Sequence, residues 1–207
     1  MTRASLFVLA VLSLPFASGC AFIPVDVAPP APDELNAQSA AGRRRSVIVE
    51  IPFDDRRDDP HRCGTQKNGY DMETADVRCS VPPGSWVADA LATGLQRAGF
   101  HVLTTHAPSG MRTVRVHGEV TQFFVEPKLG FFTFTPEADI GVRLVVSTPS
   151  GLLAERRFYF KGIEESLIGT ESNFQAASRT ATREATENMV RAVVTLLDRY
   201  PDLGDGR

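Results

Sequence analysis

Alternation and helical spacing divide the chain into seven elements. Ser46-Val47-Ile48-Val49-Glu50-Ile51 is a short β-branched run between polar stretches and predicts a first strand. From Ser85, a plausible N-cap, Val87, Leu91, Leu95 and Ala98 recur at helical spacing. Gly99 stands where a left-handed C′ residue belongs, with apolar Phe100 after it. A second strand follows over Phe100–Thr104. Strand three is expected from about Thr113 to Glu126. Val114, Val116, Gly118 and Val120 lie on one face, and Arg115, His117, Glu119 and Thr121 on the other. Strand four runs from about Phe132 to Thr148, with Ala138, Ile140, Val142, Leu144 and Val146 on one face. The turn Pro149-Ser150-Gly151 leads to strand five, Leu152–Lys161. The last element is a long helix. Phe174, Ala177, Ala181, Ala185, Met189, Ala192, Val193, Leu196 and Tyr200 trace its apolar stripe, Ser172 and Gln175 read as a capping box, and Pro201 ends it. Five strands and two helices in this order predict an α+β domain over residues 46–200, with 201–207 as a tail. Because one strand face is polar, the sheet should be antiparallel-rich, with both helices on its other face.

The N-terminus has a different grammar. Arg3 is followed by the apolar run Leu6–Leu14 and the small residues Ala17-Ser18-Gly19 before Cys20. That is the layout of an export signal, and the run is too short to span a bilayer. Ala17-Ser18-Gly19-Cys20 resembles a bacterial lipobox. Residues 1–19 would then be removed, and Cys20 acylated at its sulfur and its new amino end. Several acyl chains make such an anchor durable where one is marginal. Ala21, rather than Asp, follows the cysteine, which by resemblance to known sorting signals favours the outer membrane. Residues 20–45 carry Pro24, Pro29, Pro30 and Pro32 among small polar residues and read as a flexible tether.

Composition narrows the chemistry. The net charge of −3, one lower once Arg3 is lost with the leader, opposes general nucleic-acid binding. Arg43-Arg44-Arg45 reads as a solvated linker end. Cys63 and Cys79 remain once Cys20 is used; in an oxidising compartment they suggest a disulfide, the alternative being a metal pair with His61. Asp54-Asp55-Arg56-Arg57-Asp58-Asp59 offers carboxylates to calcium, but interrupting arginines favour a self-paired loop. His117 and Glu119 share a strand face, either as a proton-relay pair or as part of a solvated surface. No GxSxG, HExxH, P-loop or GxGxxG motif is present, so the expectation is a non-enzyme without cofactor or metal.

Five of the thirteen phenylalanines fall within twelve residues: Phe123, Phe124, Phe131, Phe132 and Phe134. Strand parity sends Phe124, Phe132 and Phe134 to the core. It leaves Phe123 and Phe131 on the uncovered face as candidate partner contacts, unless the loop Asp54–Gly84 covers them. Keeping strands three and four in phase requires an odd-length loop or a bulge.

Phe53-Asp54-Asp55-Arg56, Lys67-Asn68-Gly69-Tyr70, Met72-Glu73-Thr74-Ala75 and Trp86-Val87-Ala88-Asp89-Ala90-Leu91 leading to Ala98-Gly99-Phe100 resemble the YajG-type family of periplasmic lipoproteins. The resemblance implies an α+β fold, a lipid anchor in the outer membrane and no catalytic residues. One departure stands out: Cys63-Gly64 occupies the place of the family's usual Ile-Gly pair, so a disulfide would fix this loop in a way the family lacks. Two functions from different classes fit. One is a non-catalytic binding or assembly module of the cell envelope that docks a protein partner. The other is an auxiliary lipoprotein of an envelope lipid-transport system.

Overall fold

The computed structural model describes residues 23–35, 45–104, 113–130, 133–166 and 170–203. Its strands are β1 (Val25–Val27), β2 (Ser46–Val49), β3 (Asp54–Asp55), β4 (Gly64–Lys67), β5 (Glu73–Cys79), β6 (His101–Leu103), β7 (Val114–Leu129), β8 (Phe134–Thr148) and β9 (Gly151–Ile163). The helices are α1 (Pro83–Arg97) and α2 (Glu171–Asp198). The α+β class is as expected, and both helices bury apolar faces in one core. The sheet departs from expectation: its nine strands are mixed rather than antiparallel-rich.

The mixture has a simple origin. β7 is 16 residues long and pairs antiparallel with β8 along one edge, and β8 pairs antiparallel with β9. Along its other edge β7 meets β2, then β3, then β4, all parallel to it. Residues 46–67 therefore form one interrupted strand tracking β7, broken where prolines and paired charges replace ladder residues. The segment Asp54–Gly84, expected as a loop, contains β3, β4 and β5. The alternation rule could not detect these strands because they are two to seven residues long and mostly polar.

A bulge sets the hairpin's faces. The register of β7 against β8 shifts between Val120 and Gln122, leaving Thr121 as the extra residue. Even-numbered residues face the helices before it and odd-numbered residues after it, so Phe123 and Val125 join Val116 and Val120 in the core. β8 keeps its phase, and Ala138, Ile140, Val142, Leu144 and Val146 are all buried as the alternation predicts.

The expected helix ends need adjustment. α1 begins at Pro83 with Pro82, not Ser85, as N-cap; proline suits a first turn whose N–H groups lack helical partners. α2 is capped by Thr170, whose N–H donates to Asn173 Oδ1 at 3.1 Å. It lies over β8 and β9 on an alanine-rich stripe. Gly162 permits the close approach, since a Cβ there would sit 2.0 Å from the Ala177 carbonyl oxygen. Buried Trp86 joins the helices by donating its indole N–H to Thr182 Oγ1 at 3.0 Å.

The tether expectation is corrected for residues 23–35. Val25–Val27 pairs parallel with β5, and Val27 and Leu35 are buried. Gln175 on α2 holds the next residue with both ends of its amide: Ala28 N–H donates to Oε1 at 2.7 Å, and Nε2 donates to the Ala28 carbonyl at 2.5 Å.

Candidate functional site

The uncovered face of the sheet carries charge arranged in pairs. Arg143, on β8, reaches Glu119 of β7 at 3.0 Å and Glu155 of β9 at 2.7 Å. The hydrogen bonds it donates to Glu155 and then to Glu119 hold its guanidinium above the ordinary value, and the same contact holds Glu155 below its own. Lys161 pairs with Glu137, and Tyr159 donates to Asp139, which pushes the phenol up. Near the other edge, Lys67 bridges Asp71 and Glu126. Burial raises the Glu126 carboxyl, but its hydrogen bonds to Lys128 and Lys67 outweigh that and leave it below the usual carboxylate range. Exposed pairs of this kind add little stability each, yet as a lattice they fix the side chains of a flat polar surface.

His117 and Glu119 share this face but are not joined as a relay. His117 Nδ1 lies 3.3 Å from Glu50, and Nε2 lies 3.8 Å from Asp54, while Glu119 is engaged by Arg143. Among the described residues, no three His, Cys, Asp or Glu side chains are placed to hold a metal ion. The Asp54–Asp59 run is self-paired: Arg56 with Asp54 and Arg57 with Asp55.

Arg57 does more than neutralise. Its side chain is only 4% exposed, and its guanidinium donates to the carbonyls of Pro60, Arg62 and Phe123. Burial pushes the Asp55 carboxyl up, but the Arg57 hydrogen bonds and charge more than offset it and bring the group below its ordinary value. The loop after β3 is thus nailed to the bulge of β7. Cys63 and Cys79 are joined as a disulfide, with Cα atoms 5.7 Å apart, tying the same loop to the end of β5. His61 is no ligand to this pair.

The aromatic hairpin requires a correction. Phe123, expected on the uncovered face, is 2% exposed and packs with its ring centroid 4.9 Å from that of Trp86. The Thr121 bulge reverses the parity on which the expectation rested. Phe124 takes the uncovered face instead, half-buried beneath the Arg62 guanidinium, 5.9 Å from the ring centroid. A cleft of about 420 Å³ opens there between Arg57, Arg62 and Phe124. Phe134 packs edge-on against Phe174 as the core reading requires. Phe131 and the lipidation candidate Cys20 lie outside the described residues, as do Arg43 and Arg44. Arg45 is buried, pairs with Asp198 at 2.9 Å and lies over the Phe100 ring, so it is structural rather than a solvated linker residue.

Residues 34–192 match the model of a family described as uncharacterized lipoprotein. The chain belongs to that lipoprotein family. No curated protein matches the lipoprotein in sequence. In fold it is similar to a protein from Xanthomonas campestris, with 14% identity, 86% of this chain and 98% of that one covered, and a TM-score of 0.55. A lipoprotein from Neisseria meningitidis is also found, at 16% identity, 75% and 99% coverage and a TM-score of 0.31, too distant to argue from. No helix among the described residues is long and apolar enough to cross a membrane.

Two surfaces of the lipoprotein escaped the alternation rule. β9 bonds only to β8, so among the described residues its outer edge is unpaired along 13 residues, with Leu152, Tyr159 and Ile163 exposed. On the helix-covered side, a groove of about 230 Å³ lies between α2 and β8–β9. Leu144, Val146 and Val193 help form its floor, and Arg156, Arg191 and Arg199 line it. None of these three arginines is in an ion pair among the described residues, whereas Arg143 on the opposite face has two.

Proposed function

We propose that this lipoprotein is a non-catalytic binding and assembly module of the cell envelope. It is held at the periplasmic face of the outer membrane by lipid on Cys20 and takes an extended segment of an envelope protein along β9. The free edge of β9 carries this reading. A 13-residue strand bonded on one side only among the described residues presents backbone donors and acceptors to an added strand, while exposed Tyr159 and Ile163 offer side-chain contacts. The lipobox pattern before Cys20 and the membership in a lipoprotein family support the anchor, and Ala21 supports the outer membrane as its destination.

The test is photocrosslinking in cells with benzoylphenylalanine at Tyr159, at Ile163 and, as control, at exposed Arg183 on α2. The expected result is one common adduct from both β9 positions and none from Arg183. Absence of adducts at both β9 positions refutes strand addition.

The arginine-lined groove favours a second reading, an auxiliary role in envelope lipid transport. An apolar floor beside guanidinium groups that have no ion-pair partner among the described residues suits a single acyl chain with an anionic head. An apolar cavity of about 150 Å³ already takes up benzene, and this groove is larger. Lipid co-purifying with the Cys20→Ser chain and lost on Arg156→Ser/Arg191→Ser supports it; protein free of lipid argues against it.

A further inference from the structure

Strand direction places several exposed apolar residues at one end of the sheet. β1 runs parallel to β5 with Val25 opposite Val77, so residues before Val25 lie towards Ala75 and the β4–β5 turn. Gln66 confirms the direction, since its Nε2 donates to the Ile23 carbonyl and its own partner across the hairpin is Ala75. Cys20 is three residues before Ile23, a reach of at most about 11 Å for an extended chain. The β4–β5 turn lies a similar distance beyond Gln66. The N-terminal attachment point and the turn therefore reach the same end of the molecule.

That turn is built rigidly. Asn68 Oδ1 accepts hydrogen bonds from the N–H groups of Tyr70 at 3.0 Å and Met72 at 3.2 Å, and Asp71 takes a positive φ of 61°. Lys67 at its base is tied to Asp71 and Glu126. The outcome is a fixed tip holding Tyr70 85% exposed and Met72 56% exposed, with Ile23 at 61% beside the hairpin. Ordering a turn to hold large apolar groups in water has no folding benefit. A tyrosine at such a tip, with an apolar ring and a polar end, is suited to the boundary of a bilayer.

We propose that Ile23, Tyr70 and Met72 form a membrane-contact tip that enters the bilayer interface beside the acylated Cys20 and fixes the domain's orientation. This rests on the lipidation proposed above. The tip's charges are already paired within the protein, through Lys67, Asp71, Glu126 and Lys128. The contact is therefore apolar, insensitive to salt and indifferent to anionic lipid.

The experiment uses the full lipidated chain with Gly69→Cys carrying an environment-sensitive fluorophore. Space around Gly69 is open, so the label leaves Tyr70 and Met72 in place. The acylated Cys20 and the Cys63–Cys79 disulfide leave it the single reactive thiol. Leu152→Cys, exposed on the strand that starts at the opposite end, is the control. In vesicles of phosphatidylethanolamine and phosphatidylglycerol, the label at 69 should shift blue and be quenched by spin-labelled acyl chains several-fold more than at 152. Adding Tyr70→Asp and Met72→Asp should abolish the difference while the protein still floats with the vesicles. A label at 69 that behaves like the one at 152 in a floating protein overturns the tip and leaves the anchor standing. Failure of the parent chain to float overturns the anchor, and the tip with it.

Discussion

Phe123 and Phe124 are adjacent, chemically identical and separated in environment by one bulged residue, so replacing each by alanine tests the register of β7 directly. Phe123 is enclosed, its ring against Trp86 and its neighbour across the hairpin the buried Ile140. Truncation removes a full aromatic side chain from a closed core and leaves a cavity bounded by the two helices, a loss of about 3–5 kcal/mol. Phe124 is half-buried under Arg62 and loses partial burial and a cation–π contact worth roughly 0.5–1 kcal/mol. A domain of this kind is stable by about 5–15 kcal/mol. Urea unfolding, followed by Trp86 fluorescence, should therefore show Phe123→Ala with a midpoint lower by about 1.5–2.5 M at a slope near 2 kcal/mol/M. Phe124→Ala should lie within about 0.5 M of the parent. A larger loss at Phe124 than at Phe123 would mean that β7 continues without a bulge, and the assignment of faces beyond Thr121 would be wrong. Deleting Thr121 should leave Phe123 inward and Phe124 outward, because it removes the extra residue and makes the pairing of Val120 with Val142 continuous with that of Gln122 with Gly141.

Three further outcomes are expected. Cys63→Ser/Cys79→Ser should lower stability by about 3 kcal/mol, as expected for opening a loop of this length, read by denaturant midpoint against the parent with its disulfide intact. Gly162→Ala sets a methyl against the Ala177 carbonyl and the Ala181 nitrogen, forcing α2 outward at a cost of about 1–3 kcal/mol, measurable as a lowered Tm with near-ultraviolet dichroism altered. Acid should weaken the fold through Asp55 and Glu126. Both are held below their ordinary values of 3.8 and 4.5, so their contribution is complete above those values and is lost as pH falls through the folded-state values. Unfolding free energy should be level above about pH 5 and decline below it, and Glu126→Gln should flatten that decline.

The legible parts of the fold were those with a sustained period. α2 and β8 each present one unbroken apolar stripe, and the alternation of β8 holds from Ala138 to Val146. Alternation has no direction, however, so it could not tell that β2, β3 and β4 run parallel to β7. It also carries no warning of a single extra residue, which is why Phe123 and Phe124 exchange faces. The short strands were missed because their stability comes from partners distant in sequence: Gln175 for the residue after β1, and the Phe123 carbonyl, which accepts from Arg57, together with the disulfide to Cys79 for the loop between β3 and β4. Asn68-Gly69 is a hairpin signal that the sequence did carry, flanked by the runs that become β4 and β5. Nothing local marked the edge of β9, because a strand's bonding is a property of the assembled sheet.

The ordered β1 changes what the proposed anchor would do. A free tether over residues 20–45 would let the domain roam far from the bilayer, since a flexible chain's reach grows with the square root of its length. With β1 bonded to β5 and Ala28 gripped by Gln175, only the stretch between Cys20 and Val25 is left to span the gap. Five residues extend at most about 18 Å. On the proposed lipidation, the domain stands on the membrane rather than hanging from it. β8 then runs from the membrane end to the far end of the sheet and β9 returns, a span of about 40–50 Å at 3.3–3.4 Å per residue, given the 15 residues of β8. A partner that adds a strand to β9 must reach the same narrow layer, and one confined to the opposite membrane is excluded unless its own segment crosses the intervening space. Gln175→Ala should loosen this arrangement, freeing β1 to exchange its amide hydrogens faster while α2 and β8 remain protected. Unchanged protection at Val25–Val27 would mean that the amide grip is not what holds the strand.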